Sequence, residues 1–332
     1  MVRLAMLSRW HLHAKLYAKQ AKESGKAEIV AVWDELPERG RDWAAELGAD
    51  FEENLDAILA RADVDGVVID TPTSMHAEVI MKAAKAGKHI FTEKAMTLTM
   101  KEAREVEKVV KESGVMFMIS FVHRINGVYD VIKQTLEKGL LGDISKFRMH
   151  YSHSGASAGW LPEYWYDEAT AGGGALMDLG CHHLYIARWL MGKPKRLFSM
   201  FNSLTGRQVE DNAEVQIEFA NQAIGTISTS LVSYNSPSLV EIYGTKGSIF
   251  WLSGQNLRMI TESVDLQMGT TGTWYEPPIP ATHPIPIHQF INALDANDPS
   301  HIGYGMQEGI DLTELIEAAY ISHKEKRMVY FD

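Results

Sequence analysis

From Val2 to about Ser120, short apolar runs alternate with segments of helical period. Arg3–Leu7, Glu28–Trp33, Gly66–Ile69, His89–Thr92 and Met116–Phe121 read as strands. His13–Ser24, Arg39–Leu47, Leu55–Ala60, Ser74–Ala86 and Thr99–Ser113 read as helices between them. Strands without clean alternation, each followed by a helix, predict a parallel sheet covered on both faces. That is a Rossmann-type, doubly wound α/β domain, with its ligand crevice at the carboxyl ends of the strands.

The rhythm changes after Gly142. Lys146–Tyr151, Arg196–Ser203, Glu214–Phe219, Ile224–Val232, Leu239–Tyr243 and Ser248–Leu252 read as strands, several with period-two alternation. In "AEVQIEF", Val215, Ile217 and Phe219 share one face, and Glu214, Gln216 and Glu218 share the other. Consecutive strands with few helices predict an α+β domain built on a mostly antiparallel open sheet. Helices are expected at about Leu176–Met191 and Met306–Glu325, and the Pro-rich "EPPIPATHPIPIHQF" reads as a loop entering a helix at His288. The division expected is residues 1–122 and residues 123–332. On "AIGTISTSLV", Thr226, Ser228 and Ser230 alternate with Ile227, Thr229 and Leu231. Neither face is strongly charged, so this sheet is expected to pair with a copy of itself in a homodimer or homotetramer.

Composition narrows the class. A length of 332 residues suits two ordinary domains, and 45% apolar with 23% charged residues is a globular average. A net charge of −11 speaks against a nucleic-acid partner. No apolar run approaches the roughly 20 residues that span a bilayer, and the opening Met1-Val2-Arg3 lacks the shape of a signal peptide. The single cysteine, Cys181, suits a reducing cytoplasm and is expected to pack as a small hydrophobe.

Candidate chemistry begins at "RLAMLSRWHLHAKLYAK". In the dinucleotide fingerprint G-x-G-x-x-G, glycines allow a tight turn and a close approach of backbone to pyrophosphate. Here Ser8, Trp10 and His13 hold the three glycine positions. The surroundings nevertheless fit: a strand precedes the turn, a helix follows, and Asp34 ends the second strand where an acid binds a ribose 2′-hydroxyl. Ser8, Arg9, Trp10 and His11 then form the phosphate loop, with backbone N–H groups and the Arg9 charge facing the dinucleotide. Two alternatives remain. The residues are purely structural, or His11 and His13 bind a metal, although no carboxylate or cysteine accompanies them at ligand spacing.

Two further stretches carry titratable groups. In "GKHIFTEKAMTLTMKEA" a strand delivers Glu93 and Lys94 to the crevice edge, where a lysine stabilises an alkoxide or moves a proton. In "AGGGALMDLGCHHLYIARWLMG" three glycines enter a helix on which Asp178 and His182 stand four apart, one face of a carboxylate–imidazole pair. His183 points to a different face. Trp160 and Trp165, in "GWLPEYWYDEATAGGG", suit stacking on a sugar or packing in a core.

At these residues the chain resembles the glucose–fructose oxidoreductase / inositol dehydrogenase / rhizopine-catabolism (Gfo/Idh/MocA) family of NAD(P)-dependent sugar and polyol oxidoreductases. The resemblance rests on TP-x₃-H, GKH-x₃-EK and GGG-x₃-D-x-G-x-H, on "VEIYGTKGSI" and on "GMQEGIDLTELIEAAYISHKEKRMVYF". It implies that Lys94 is the catalytic lysine and that Asp178 and His182 bind substrate and move its proton. It also implies that Thr71, Pro72, His76 and Glu93 line the cofactor, that Asp34 binds ribose, and that His123 and Arg124 face substrate. Ala95 stands where the family usually has proline after the lysine.

The function expected is hydride transfer between a secondary alcohol of a sugar, cyclitol or polyol and NAD, with NADP disfavoured by Asp34 and that preference softened by Arg39. Two rivals stand beside it. One is a ligand-sensing regulator on the same fold. The other is a redox-neutral epimerase or glycosidase that uses NAD as a transient oxidant.

Overall fold

The structure, a computed structural model, describes residues 1–331 and falls into two compact units. The first holds a six-stranded sheet of β1 (Val2–Leu7), β2 (Ala27–Trp33), β3 (Asp50–Phe51), β4 (Gly66–Ile69), β5 (His89–Thr92) and β6 (Phe117–Ile119). The strand order is β3-β2-β1-β4-β5-β6, every pair parallel. Crossovers run through α1 (Ala14–Glu23), α2 (Pro37–Leu47), α3 (Leu55–Ala60), α4 (His76–Lys85) and α5 (Met100–Ser113). This is the Rossmann order, as the apolar runs predicted. Only the two-residue β3 was missed, because it is too short to show a period.

The first unit comprises Met1–Val122 and Pro284–Glu314, so a single second domain over residues 123–332 is not what forms. The helix Pro286–Ala296 returns to the α/β sheet and buries Ile287, Phe290 and Ile291. The Phe290 ring lies 5.7 Å from Phe91 on β5, and Lys26 pairs with Asp295 at 3.2 Å. The proline-rich run before the helix hid this return, since a loop signal says nothing about where the chain goes next.

The second unit comprises His123–His283 and the segment from Leu315 on. Its sheet contains β7 (Ile144–Ser152), β8 (Pro194–Asn202), β9 (Asn212–Phe219), β10 (Ile224–Ser230), β11 (Leu239–Gly244), β12 (Gly247–Leu252), β13 (Arg258–Thr261) and β14 (Val329–Tyr330). The order is β13-β12-β11-β7-β10-β9-β8-β14, antiparallel except for the parallel pair β7–β10. One face, with Phe147, Met149, Val215, Ile217, Ile227 and Ile242, is buried. The other carries Thr226 and Ser228 on β10. Neighbouring strands add Arg148 paired with Glu241 at 3.0 Å, Glu214, and the exposed Met200 and Tyr243. That face is therefore more charged than β10 alone suggested. The edge strands β13 and β14 and the helix Gly127–Glu137 were not foreseen. The helix had a start signal, Asn126, whose side chain accepts from Val128 N–H at 3.0 Å.

Candidate active site

Because β1, β2, β4 and β5 are parallel, the residues just past their ends gather at one edge. These are Ser8, Asp34, Asp70 and Glu93, all buried. Glu93 is 1% exposed. Its Oε1 accepts from His13 Nδ1–H at 2.7 Å and from the Tyr17 hydroxyl, and its Oε2 accepts from Lys94 N–H at 2.7 Å. The Tyr17 oxygen also lies 2.7 Å from Ser120 Oγ. His11 Nδ1 stands 4.0 Å from Glu93 Oε1 and accepts from His13 N–H at 3.1 Å. Burial pushes the Glu93 pKa up, but the charges of His11 and His13, with Lys94 behind them, outweigh it and hold the carboxylate well below its usual range. Asp70 goes the other way: burial, then the Glu93 charge, push it well above that range. Neither Asp70 carboxyl oxygen nor the Thr71 hydroxyl has a hydrogen-bond partner.

Ser8 adopts φ 75°, the left-handed backbone for which a fingerprint glycine is used. Trp10 folds into the interior, 5% exposed, so its bulk does not stand over the loop. The expected N–H cradle is largely engaged within the chain. Ser8 N–H donates to Trp33 O, Arg9 N–H to Asp34 Oδ2, Trp10 N–H to Ser8 Oγ, His11 N–H to Asp70 O, and Ala14 N–H to His11 O. The Arg9 guanidinium pairs with Glu46 at 3.1 Å. Asp34 also accepts from Leu36 N–H at 2.8 Å and from Arg39, with Nη2 to Oδ1 at 2.7 Å and Nε to Oδ2 at 2.9 Å. A ribose diol at this acid therefore meets Arg39 as well. The left-handed turn, the buried acid and the partnerless Thr71 hydroxyl fit a dinucleotide at this edge; the internally bonded loop leaves less for the phosphates than the fingerprint offers.

His76 is buried with Nδ1 2.7 Å from the Ala95 carbonyl and Nε2 3.1 Å from the Thr71 carbonyl. It thus ties the turn bearing Thr71 and Pro72 to the turn bearing Lys94, whose peptide bond to Ala95 is cis. Burial lowers the His76 pKa, and the two carbonyls oppose that shift.

In the second unit, the helix expected over Leu176–Met191 is a π-helical turn, Leu176–Gly180, followed by an α-helix, Cys181–Met191. Such turns concentrate at functional sites. Asp178 lies in the π turn and His182 in the first α turn. A Cβ on Gly173 would overlap the Tyr320 hydroxyl, and one on Gly174 the Glu210 carbonyl, so only glycine admits this approach. The buried Glu210 accepts from Gly174 N–H at 3.0 Å, Leu176 N–H at 2.9 Å and Tyr320 Oη–H at 2.8 Å, pinning the helix entry.

His182 Nδ1 lies 2.9 Å from the Tyr185 hydroxyl, whose oxygen also accepts from His123 N–H at 3.1 Å. The His123 and His182 rings stack at 4.3 Å with 15° between planes, and Tyr151 meets His123 edge-on at 4.9 Å. The structure therefore brings two expected residues, His123 and His182, together with Tyr151 and Tyr185, which the sequence had not singled out. Tyr185 was findable, three residues after His182 on one helix. Arg124 stacks its guanidinium on Trp189 at 3.7 Å. Trp165 is packed inside, while Trp160 keeps an exposed ring 4.6 Å from His153. Cys181 is buried, its thiol 3.3 Å from the Asp178 carbonyl.

Comparison with known proteins decides the family. Residues 10–121 match the model of an oxidoreductase family with an NAD-binding Rossmann fold, and residues 129–250 match the GFO/IDH/MocA C-terminal domain. The chain belongs to this oxidoreductase family. Its relatives include scyllo-inositol 2-dehydrogenase (NAD(+)) of Bacillus subtilis, 32% identical over 68% of this chain and 66% of that protein. Inositol 2-dehydrogenase of Rhizobium meliloti is 26% identical over 95% of both. A solved structure of levoglucosan dehydrogenase, a complex with NADH and levoglucosan, shares the fold with a TM-score of 0.85 at 22% identity, covering 99% of each chain. No helix among the described residues is long and apolar enough to cross a membrane.

His183 borders this stack, its ring 6.2 Å from His123 and 5.8 Å from Tyr151. It is fully buried, its Nε2 3.3 Å from Ser238 Oγ and its Nδ1 without a partner. Burial, then the charges of His123 and His150, hold its pKa well below the ordinary value. The unfolded chain takes up this proton near pH 6.5 and the folded chain does not. Stability is thus full above that pH and falls below it, by up to about 1.4 kcal/mol per pH unit. His183→Leu should flatten the decline of urea-unfolding free energy between about pH 6.5 and 5. An unchanged slope would assign the proton uptake elsewhere.

Proposed function

We propose that this chain oxidises a secondary alcohol of a sugar, cyclitol or polyol, with NAD as the preferred acceptor and NADP a weaker one. The observation that supports this most is the His182 imidazole, held by the Tyr185 hydroxyl and stacked on His123 in the family's C-terminal domain. A bound nicotinamide supplies the hydride acceptor. His182 takes the hydroxyl proton, with Asp178 and Tyr185 fixing the ring, and Lys94 stabilises the negative charge that develops on the substrate oxygen. Asp34 and Arg39 hold the ribose, Ser8, Arg9, Trp10 and His11 form the loop beside the phosphates, and Thr71, Pro72 and Glu93 line the nicotinamide end. His76 acts through the turns it ties, and Trp160 stacks on the sugar.

Lys94→Ala and His182→Ala should each lower turnover about 10²-fold or more in a panel of polyols and sugars with NAD, while NAD affinity changes little. Activity within twofold of the parent for both variants would remove these roles and favour a ligand sensor. Oxidised product with one NADH formed per turnover would support dehydrogenation, whereas turnover without NADH accumulation would point to the redox-neutral rival.

The NAD preference rests on the Asp34 carboxylate, which accepts from a ribose diol and repels a 2′-phosphate, while Arg39 on the same carboxylate blunts that repulsion. Calorimetric titration should find Asp34→Ala weaker for NAD with a narrowed gap to NADP, and Arg39→Ala with a widened gap. If the parent takes up neither dinucleotide at about millimolar concentration, an affinity worth only about 4 kcal/mol, the dehydrogenase assignment fails.

We further propose a homodimer or homotetramer built through the uncovered face of the second sheet, in a cytoplasmic setting that suits the lone buried cysteine. Met200, Tyr243 and the Arg148–Glu241 pair lie on that face. Light scattering should give a mass at least twice 37.2 kDa at micromolar protein. A monomer mass would end this part of the proposal.

A further inference from the structure

The histidines of the phosphate loop have a third partner that sequence spacing concealed. Glu93 arrives from β5, eighty residues away from His13, and Oε1 receives His13 Nδ1 at 2.7 Å with His11 Nδ1 at 4.0 Å. One ligand atom from each of the three residues lies within 4.8 Å of the other two. Two imidazoles and one carboxylate form a donor set that zinc enzymes and other first-row metal sites use with open positions left for further ligands. At metal bonds of about 2.0–2.1 Å, tetrahedral ligand atoms stand about 3.3 Å apart, midway between the two separations found here. Closing on an ion thus needs the His13–Glu93 pair to open and the His11–Glu93 pair to shorten, each by under an ångström, and His11 and His13, whose ligand atoms lie within 4.8 Å, to draw together. Ligation through His11 Nδ1 takes over the lone pair now given to His13 N–H.

A second observation is independent of these three residues. Asp70, at the neighbouring strand end, is wholly buried and neither carboxyl oxygen has a hydrogen-bond partner. Its peptide carbonyl accepts from His11 N–H at 3.1 Å, which puts the residue directly beside the histidines. A buried polar group without a partner calls for a ligand, water or ion to complete it. Two carboxylates and two neutral imidazoles around a divalent cation are electrically neutral, which removes the cost of burying either acid as a lone charge.

From this arrangement we infer that His11, His13 and Glu93 bind a first-row divalent cation of the zinc class, with Asp70 as counter-charge. The site lies wholly within the first unit. Its test needs neither a dinucleotide nor a sugar, so its failure is distinguishable from that of the dehydrogenase assignment, although His11 and Glu93 serve in both.

The test uses full-length, tag-free protein, stripped with chelator and titrated with Co²⁺ and then Zn²⁺ without dinucleotide. The expected result is one Co²⁺ per chain with visible d–d bands of a low-coordinate ion, displaced by one Zn²⁺. His13→Gln should lower affinity more than about 100-fold, and Asp70→Asn about 10–100-fold, the scale for losing a group that supports a ligand. His150→Gln, in the second unit, should leave affinity unchanged. Because the His13 variant also loses a hydrogen bond to Glu93, X-ray absorption on the parent protein gives a second readout: two imidazole nitrogens at about 2.0–2.1 Å from zinc. Non-stoichiometric binding by the folded parent, a zinc shell without imidazole, or parent-like affinity in a folded His13→Gln would each overturn the inference.

Discussion

The first unit is organised around a negative charge that has no access to water. A parallel sheet covered on both faces leaves its strand ends as the place for polar groups, and β5 puts a glutamate there. An isolated carboxylate in such a setting costs several kcal/mol, so its neighbours are constrained to be donors or cations. Tyr17, His13 and Lys94 N–H meet that demand, and His11 adds its field. This explains why two histidines occupy a loop where glycine is the rule. The space a glycine would leave to a phosphate is used to satisfy Glu93, and Ser8 keeps the turn alone by accepting the left-handed backbone. Loop, first helix and fifth strand are therefore one unit of charge and hydrogen bonding.

The second unit solves a similar problem for a different end. Glu210 is also a buried carboxylate, but its partners are two backbone N–H groups and a tyrosine hydroxyl rather than cations. Burial therefore prevails and its pKa rises instead of falling. The gain is positional. With Gly173 and Gly174 pressed against Tyr320 and Glu210, the backbone enters the π turn in one way, and the wider turn sets Asp178 ahead of His182. Tyr185 then anchors the imidazole from inside the same helix.

How much of this was legible depended on whether the determining contact was local. The strand–helix alternation of the first unit and the period-two strands of the second are local, and both sheets emerged from them. The helix Met306–Glu325 was read to its ends. The partner of His11 and His13 was not legible, since Glu93 joins them only once β1 and β5 lie in one sheet. Asp70 carried a faint signal, an acid closing an otherwise apolar strand, but nothing local told that its carboxyl would go unpartnered. The π turn has no sequence signature that separates it from an α-helix of the same composition. Trp165 and Trp160 looked alike in sequence, and only packing assigned one to the interior and the other to the surface.

The acid at the end of β2 meets the same constraint in a different way, with a consequence for the proposed dinucleotide preference. Asp34 is as buried as Glu93, yet its compensation comes from Arg39 in a two-toothed pair, with the Arg9 and Leu36 N–H groups on the remaining lone pairs. A carboxylate has about four acceptor directions, and these are already met. A ribose hydroxyl approaching here must share an oxygen with Arg39 or displace one of its teeth, whereas a 2′-phosphate finds a guanidinium whose second neighbour, Glu35, also opposes it. On the proposed reading, the balance between the two dinucleotides would be set by Asp34, Arg39 and Glu35 acting together. A lone acid would repel the phosphate outright; an acid clamped by arginine discriminates by the geometry of the clamp.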